Sequence, residues 1–242
     1  MQAIPLTLIA GSVALAWGIW WAHNDFARWK ALGPGGLPHT PAGWLAMSLL
    51  RLLKRDGRRA ARLASTVARE PRGHLGPLPP RHGERPLVAP YPIPHRQLSD
   101  TASPEILGRL VDLFDKEVEK NKGTVHFATS FFEKHHEAIT LMHPECGHVH
   151  ALVSHGEVAH IHPSDGSMHM VLSPCDAQTV LERQWGELHS LAGLFNRLPS
   201  SYALVYAPRH GADLETIERI LSASVMHMAT PRHPSPSTES ST

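Results

Sequence analysis

The chain has 242 residues, 42% of them hydrophobic, which is enough for one folded domain with additional segments. Its net charge is only +1, but residues 26–100 hold thirteen Lys and Arg against four Asp and Glu. The two cysteines, Cys146 and Cys175, exclude a multiple-disulfide framework and form no CxxC motif.

The first predicted element is an uncharged segment at residues 4–22, which is long enough to cross a bilayer as a helix. Trp17, Trp20 and Trp21 lie at its C-terminal end, a position typical of the membrane interface. Residues 1–25 are therefore predicted to form a transmembrane anchor; a buried core helix is the alternative. The basic residues that follow predict a single-pass protein whose catalytic domain lies in the cytosol, at the endoplasmic reticulum membrane.

A second apolar segment at residues 42–64 carries leucines at helical spacing, but Arg51, Lys54 and Arg55 interrupt it too early for a membrane span. Residues 26–70 are therefore predicted to form a basic, amphipathic juxtamembrane region that contacts anionic membrane lipid. The alternative is an ordinary amphipathic helix that packs on the folded domain. Nucleic acid is not an expected partner, because the basic cluster directly follows the predicted span.

Prolines dominate residues 71–102, and proline at this density excludes helix interiors and central strands. We interpret this segment as an extended connector or as a wrap over the domain surface. Residues 231–242 lack apolar side chains and are predicted to be a disordered tail. The folded domain is accordingly expected at residues 103–230.

The domain begins with a predicted helix, for which Ser103 is the N-cap and Pro104 the first helical residue. Strands are predicted at residues 124–132, 137–142, 148–153 and 201–207, a hairpin at 156–172, and helices at 176–184 and 213–228. This order predicts an α+β fold, in which a mainly antiparallel sheet is flanked by helices and preceded by the transmembrane helix.

The predicted hairpin, GEVAHIHPSDGSMHMVL, places three histidines around a Pro-Ser-Asp-Gly break. If the Asp-Gly pair forms the turn, His162 lies opposite His169, and His160 shares their face because strand side chains alternate. Three histidines with open positions form a known type of zinc or iron site, so these three are candidate ligands of a divalent metal. The alternative is an exposed hairpin whose histidines are ordinary polar residues.

The chain resembles the luciferase domain of bioluminescent fungi and of their non-luminous relatives. The resemblance rests on VAHIHPSDGSMHM, VLERQWGELHSLAG and YAPR, and extends through STVAREPRGHLGPLPPRHGERPLVAP, TSFFEKHHEAI and DFARWKALGPGG. It also includes an E-x-H pair, Glu133 and His135. Two departures are visible: the spacing from His162 to His169 is one residue shorter than in the luminous pattern, and Pro163 replaces an acidic residue.

The resemblance implies an O2-dependent oxidoreductase of the monooxygenase or dioxygenase type. Its substrate would be a 3-hydroxylated styrylpyrone of the 3-hydroxyhispidin type, which loses CO2 and emits light after reaction with O2. The resemblance implies no organic cofactor. The alternatives are a non-luminous enzyme of the same fold that acts on another small aromatic or lactone, and a non-enzymatic membrane protein that binds metal. The oligomeric state is left open.

Oxidation of such a pyrone begins with loss of its hydroxyl proton, for which a neutral imidazole is the natural base. The candidate catalytic residues are His160, His162 and His169 as the central cluster, His189 and His135 as second members, and Glu133 to orient an imidazole. Trp185 and Phe132 are candidates for the wall of a dry substrate pocket, with simple core packing as the alternative.

Overall fold

In the computed structural model, which describes residues 6–231, seven α-helices and a short 3-10 helix accompany a six-stranded sheet. The helices are α1 Leu6–Ala31, α2 Pro41–Arg51, α3 Ala64–Arg69, α4 Pro104–Lys120, α5 Val149–Val153, α6 Pro174–Glu182 and α7 Asp213–Ala229. The strands are β1 Val125–Thr129, β2 Glu137–Leu141, β3 Glu157–Ile161, β4 Met168–Val171, β5 Gly186–Leu188 and β6 Tyr202–Val205. Their order is β1-β2-β3-β4-β6-β5, and every neighbouring pair is antiparallel. The predicted α+β class with an antiparallel sheet is therefore confirmed.

The predicted N-terminal transmembrane helix is wrong. The described part of helix α1 starts at Leu6 and continues well past the predicted end into polar residues from His23 onward. Gly11 and Gly18 also lower the hydropathy of its first half. Among residues 6–231, no helix is both long and apolar enough to cross a bilayer. The membrane localisation inferred from this helix is overturned with it. Residues 1–5 of the predicted anchor lie outside the described part of the chain.

The second half of helix α1 packs on helix α2 and on the proline-rich segment. Asp25 is buried there, where its carboxylate accepts hydrogen bonds from Trp44 (2.8 Å), Arg51 (3.1 Å) and the hydroxyl of Tyr91 (3.1 Å). Trp29 is only 1% exposed and belongs to a small core of its own. The other buried members of this core are Met47, Ala89 and Tyr91.

Residues 42–64 do not form one continuous helix. Helix α2 ends at Arg51, the first of the three basic residues, and the chain then continues through a turn into the 3-10 helix and α3. The guanidinium of Arg55 donates to the carbonyl of Ala192, and Arg58 pairs with Glu187 at 3.2 Å. These contacts hold the basic segment against the folded domain, as in the alternative interpretation.

The proline-rich segment, residues 71–102, wraps over the domain surface. The indole of Trp185 donates to the carbonyl of Pro79 at 2.8 Å, and the Ala89 N–H bonds to the Arg96 carbonyl at 2.8 Å. The side chains of His95 and Arg96 are both buried. The segment therefore contributes to the interior of the domain.

Most domain elements lie where the sequence predicts them. Helix α4 begins at Pro104, and Ser103 caps it by accepting from the Ile106 N–H. One strand is wrong: residues 148–153 contain helix α5 instead. His148 explains this locally, because its ring accepts from the His150 N–H and thereby caps a helical turn. Apart from its first residue, the predicted disordered tail lies outside the described residues.

The hairpin between β3 and β4 has a different register from the predicted one. His160 pairs with His169, and the His162 N–H bonds to the Ser167 carbonyl at 2.8 Å. The connection is thus a longer loop in which Gly166 has a φ of 77°, a left-handed conformation that favours glycine. The prediction that His162 faces His169 is wrong by two residues. Because two is even, the same side chains remain on the same face.

Candidate active site

The three hairpin imidazoles converge at one point inside the domain. His160 Nε2 lies 3.2 Å from His162 Nε2, His162 Nε2 lies 3.1 Å from His169 Nδ1, and His169 Nδ1 lies 3.4 Å from His160 Nε2. The three side chains are at most 3% exposed. We call them the three-histidine centre. Burial on this scale rules out the alternative of an exposed polar hairpin.

The outer nitrogen of His160 bonds to a carboxylate. His160 Nδ1 lies 2.5 Å from Glu157 Oε1. The same carboxylate accepts from the Ser130 hydroxyl at 3.0 Å and from the backbone N–H groups of Phe131 and Phe132. A carboxylate only accepts, so His160 carries its proton on Nδ1. In the neutral ring, the inner nitrogen Nε2 is therefore unprotonated.

The outer nitrogen of His162 reaches a carboxylate through a hydroxyl. His162 Nδ1 lies 2.8 Å from Ser167 Oγ. The Ser167 hydroxyl in turn bonds to the Asp165 carboxylate, which also accepts from the Ser167 N–H at 2.8 Å. Because the hydroxyl proton goes to Asp165, Oγ accepts from His162 Nδ1–H. The inner nitrogen of the neutral His162 ring is again unprotonated.

The outer nitrogen of His169 reaches a carboxylate through a fourth imidazole. His169 Nε2 lies 3.3 Å from His95 Nδ1, and His95 Nε2 lies 3.3 Å from Glu187 Oε1. Although burial raises the pKa of Glu187, hydrogen bonds from His95, Tyr206 and Arg58 lower it to about 2. If the His95 ring is neutral and its Nε2–H donates to this ionised carboxylate, its Nδ1 accepts from His169 Nε2–H. This leaves His169 Nδ1 unprotonated.

Burial favours the neutral state of the centre. It lowers the pKa of His162 well below the usual value, and Arg96 and His160 lower it further. Burial likewise lowers the pKa of His169, together with the positive charge that His162 or His160 would carry. In the neutral rings, unprotonated nitrogens thus face one another inside the domain.

The fold separates the two residues of the predicted E-x-H pair, Glu133 and His135. Glu133 is buried beside the centre, where both carboxylate oxygens pair with the Arg96 guanidinium. A Glu133 oxygen and the three inner nitrogens all lie within 4.8 Å of one another. His135 is exposed and lines a separate pocket, because the chain turns at Lys134, whose φ is 63°. Glu133 therefore pairs with arginine and does not orient an imidazole.

His189 lies in a second layer of the site. Its ring centroid is 5.0 Å from that of His95 and 5.6 Å from that of His169. Its Nδ1 accepts from the Leu191 N–H at 3.1 Å, and the ring also bonds to the Pro92 backbone. Burial lowers its pKa well below the usual value. His189 is therefore a neutral histidine in the wall of the cavity beside the centre.

A small cavity of about 80 Å³ adjoins the three-histidine centre. Its lining includes His95, His169, His189, Glu133, Phe132 and Tyr202. The Tyr202 ring stacks on His169 at 4.8 Å, and Phe132 contacts Tyr202 at the same centroid distance. Phe132 lies in the predicted wall, whereas Trp185 packs in the main core and does not line the cavity.

A larger apolar pocket of about 300 Å³ lies directly outside this cavity. The two spaces share Ile93 and Leu198 as lining residues. Leu53 and Phe195 line the outer side of the larger pocket. Ile93 and Leu198 therefore lie at the boundary between the inner cavity and the larger apolar pocket.

Sequence reasoning missed several residues of the site. Glu157 and Glu187 belong to the two motifs that contain the histidines, so their acidic side chains were a usable signal. His95 and Arg96 come from the proline-rich segment, which has no periodicity that would mark them. Only the folded structure reveals these two contributions.

The chain is similar to known luciferases. The family model for the luciferase domain matches residues 155–224, which contain the three-histidine centre and His189. The chain is 28% identical to a luciferase of Armillaria mellea and 29% identical to one of Armillaria ostoyae, in each case over 94% of this chain and 89% of the relative. It is 28% identical to a luciferase of Neonothopanus nambi over 85% of this chain and 80% of the relative. No solved structure matches the chain.

Proposed function

We propose that this chain, which is similar to fungal luciferases over most of its length, is an oxidative enzyme of that family that joins O2 to a 3-hydroxylated styrylpyrone. One carbon of the pyrone leaves as CO2, and the excited product emits light. O2 is the co-substrate, and no organic cofactor takes part. The observation that carries this proposal is the buried three-histidine centre, which lies beside a small cavity and within the segment that matches the luciferase domain.

The centre suits the first chemical step. A 3-hydroxypyrone donates electrons to O2 most readily after its hydroxyl has lost a proton. The unprotonated Nδ1 of His169, which lines the cavity, accepts that proton, and the buried Arg96 guanidinium beside Glu133 adds positive charge near the anionic oxygen that results. The stacked Tyr202 and His169 rings offer a flat surface for a planar pyrone. These features support oxidation of the anionic substrate at His169.

The two adjoining spaces suit a substrate with two rings. The inner cavity of about 80 Å³ is smaller than pockets that bind drug-sized ligands, which have about 300–1,000 Å³. The outer pocket of about 300 Å³ is lined mainly by aliphatic and aromatic side chains and accommodates an aryl arm. In the bound substrate, the pyrone would lie at the inner cavity and the aryl arm in the outer pocket. Ile93 and Leu198 must change rotamer to admit the substrate.

Mixing the purified chain with 3-hydroxyhispidin in air tests the proposed function. We expect O2 consumption, a product that has lost CO2 by mass analysis, and light. Leu198→Ala widens the passage between the two pockets, so we expect it to lower the KM, whereas Leu87→Ala, an exposed leucine remote from both pockets, is the matched control. A product without light would favour the non-luminous alternative. Consumption of the pyrone that is no faster with the protein than without it would contradict the proposal.

A further inference from the structure

We propose that the three-histidine centre binds one divalent transition-metal ion, through His160 Nε2, His162 Nε2 and His169 Nδ1. The inference deepens the proposed function and rests on it for what the ion does, since the ion would hold the anionic oxygen of the substrate. The case for the ion itself rests on the geometry, the hydrogen bonds and the charge of the centre.

The spacing of the three nitrogens matches a shared metal ligand sphere. The three nitrogen–nitrogen distances are 3.1, 3.2 and 3.4 Å. An ion with tetrahedral metal–nitrogen bonds of about 2.0–2.1 Å separates neighbouring nitrogens by about 3.3–3.4 Å. All three separations therefore lie within about 0.3 Å of those that one tetrahedral ion requires.

Hydrogen bonding does not explain this convergence. The outer nitrogens of all three rings donate their protons to acceptors, so neutral rings bring three lone pairs together without a proton between them. Buried polar atoms are nearly always satisfied, and lone pairs at these distances repel one another. A cation at their common centre removes both costs. A proton shared by the three rings is the competing explanation.

The surroundings resemble those of metal-bound histidines. Such a histidine usually donates its second N–H to a carboxylate, a carbonyl or water, which fixes the ring and strengthens the ligand. Here the three outer N–H groups lead to Glu157 directly, to Asp165 through Ser167, and to Glu187 through His95. Three independent relays that end on carboxylates are difficult to explain as a chance result of core packing.

The charge of the site also favours a cation. Glu157 is 2% exposed, and in the described part of the chain its ion-pair partner is His160, which is charged only when protonated, and not a Lys or Arg. A buried carboxylate needs a compensating positive charge. Glu133, the other carboxylate at the centre, is already neutralised by Arg96. A dication at the three-histidine centre supplies the charge that Glu157 lacks.

The metal sphere would keep open positions. Arg96 holds both oxygens of Glu133, so this carboxylate lies near the centre without completing it. Sites with three protein ligands and an open position are typical of catalytic metal ions. His169 lines the inner cavity, so the cavity adjoins the centre. A substrate oxygen or O2 could reach the ion from there.

A second histidine cluster provides a matched control. His148, His150 and His227 also offer ring nitrogens within 4.8 Å of one another, and His150 Nδ1 lies 3.0 Å from His227 Nε2. In this cluster His148 Nδ1 already accepts from a backbone N–H, and its Nε2 faces the carboxylate of Glu70, which is 41% exposed, at 3.5 Å, so neither ring nitrogen of His148 is free for a metal. We therefore expect metal at the three-histidine centre and not here.

Metal analysis of the full chain, purified with a tag that contains no histidine, tests the inference. We expect about one equivalent of transition metal by elemental analysis. After removal of that metal, Co²⁺ alone should bind with the visible absorption of a nitrogen-coordinated ion. His162→Gln should abolish both signals, and His150→Gln should leave them unchanged. Glu157→Gln retains the three ligands and should weaken Co²⁺ binding by about 10–100-fold.

Circular dichroism shows that each variant is folded before it is compared. A folded wild-type chain that lacks metal and gives no Co²⁺ spectrum would overturn the inference, as would metal that is lost in His150→Gln but kept in His162→Gln. The proposed function is tested separately. An active, metal-free enzyme overturns only the metal site, and a metal-loaded chain that leaves the pyrone unchanged overturns only the proposed reaction.

Discussion

In each histidine of the three-histidine centre, the hydrogen-bond partner of the outer nitrogen determines whether the inner nitrogen carries a proton. Glu157, Ser167 and His95 are therefore as important to the site as the three histidines that they orient. The ion pair of Arg96 and Glu133 plays a different part, because it places a neutralised carboxylate beside the centre. At this scale, the chemistry depends on residues from three separate parts of the chain.

Arg96→Met is expected to destabilise the domain strongly. Both members of the pair are buried, and removal of the guanidinium leaves the Glu133 carboxylate without a partner, at a cost of about 3–5 kcal/mol. The double variant Arg96→Met, Glu133→Leu should recover much of that loss. Urea unfolding measures both values.

Arg59→Met is the control for this pair. It breaks an exposed ion pair with Asp56, and exposed pairs contribute less than about 1 kcal/mol. Equal free energies of unfolding for Arg96→Met and Arg59→Met would contradict the buried-pair interpretation.

At the scale of elements, the sequence predicts best where local patterns decide the structure. The N-cap of helix α4 and the alternation of side chains along the hairpin strands depend on residues that are close in sequence, and both predictions are confirmed. The register was wrong because loop length depends on backbone hydrogen bonds between His162 and Ser167 that the pattern does not reveal. His95 was missed because a proline-rich segment gives no sign of the surface it covers. The membrane span was wrong because the apolar run belongs to a longer helix whose second half packs on the domain.

Two truncations test how helix α1 contributes. Deletion of residues 1–22 should change the melting temperature little, because Val13, Leu15 and Trp17 are mostly exposed. Deletion of residues 1–31 also removes Trp29 and Asp25, which are buried against helix α2 and the proline-rich segment. This longer deletion should lower the melting temperature clearly. Equal melting temperatures for the two truncated proteins would show that the small N-terminal core contributes no stability.

At the scale of the whole molecule, the sheet and its helices keep many histidines buried and neutral. Burial lowers the pKa of His227 to about 2, and the pKa values of His162, His169 and His189 lie well below their usual value. In the unfolded chain these groups titrate near pH 6.5. Below that pH the unfolded state binds more protons than the folded state, so acid favours unfolding.

Stability should therefore decrease as the pH falls from about 6.5 towards the folded-state pKa values. Each buried neutral histidine contributes up to about 1.4 kcal/mol per pH unit in this range. Urea midpoints at pH 7 and pH 5 measure the effect, and the midpoint at pH 5 should be lower. His227→Gln removes one such group and should reduce the difference. A stability that is independent of pH between 7 and 5 would be inconsistent with neutral buried histidines.

The most direct test of the account is O2 uptake with 3-hydroxyhispidin, compared between His162→Gln and His143→Gln. His162 lies in the three-histidine centre, whereas His143 is an exposed histidine outside it. If the centre is the site of oxidation, the first variant should lose about 10²–10⁴-fold in rate while it remains folded, and the second should retain normal turnover. Adding His169→Gln to the first variant should cost little more, because members of one catalytic unit act together. Normal O2 uptake by folded His162→Gln would contradict the account.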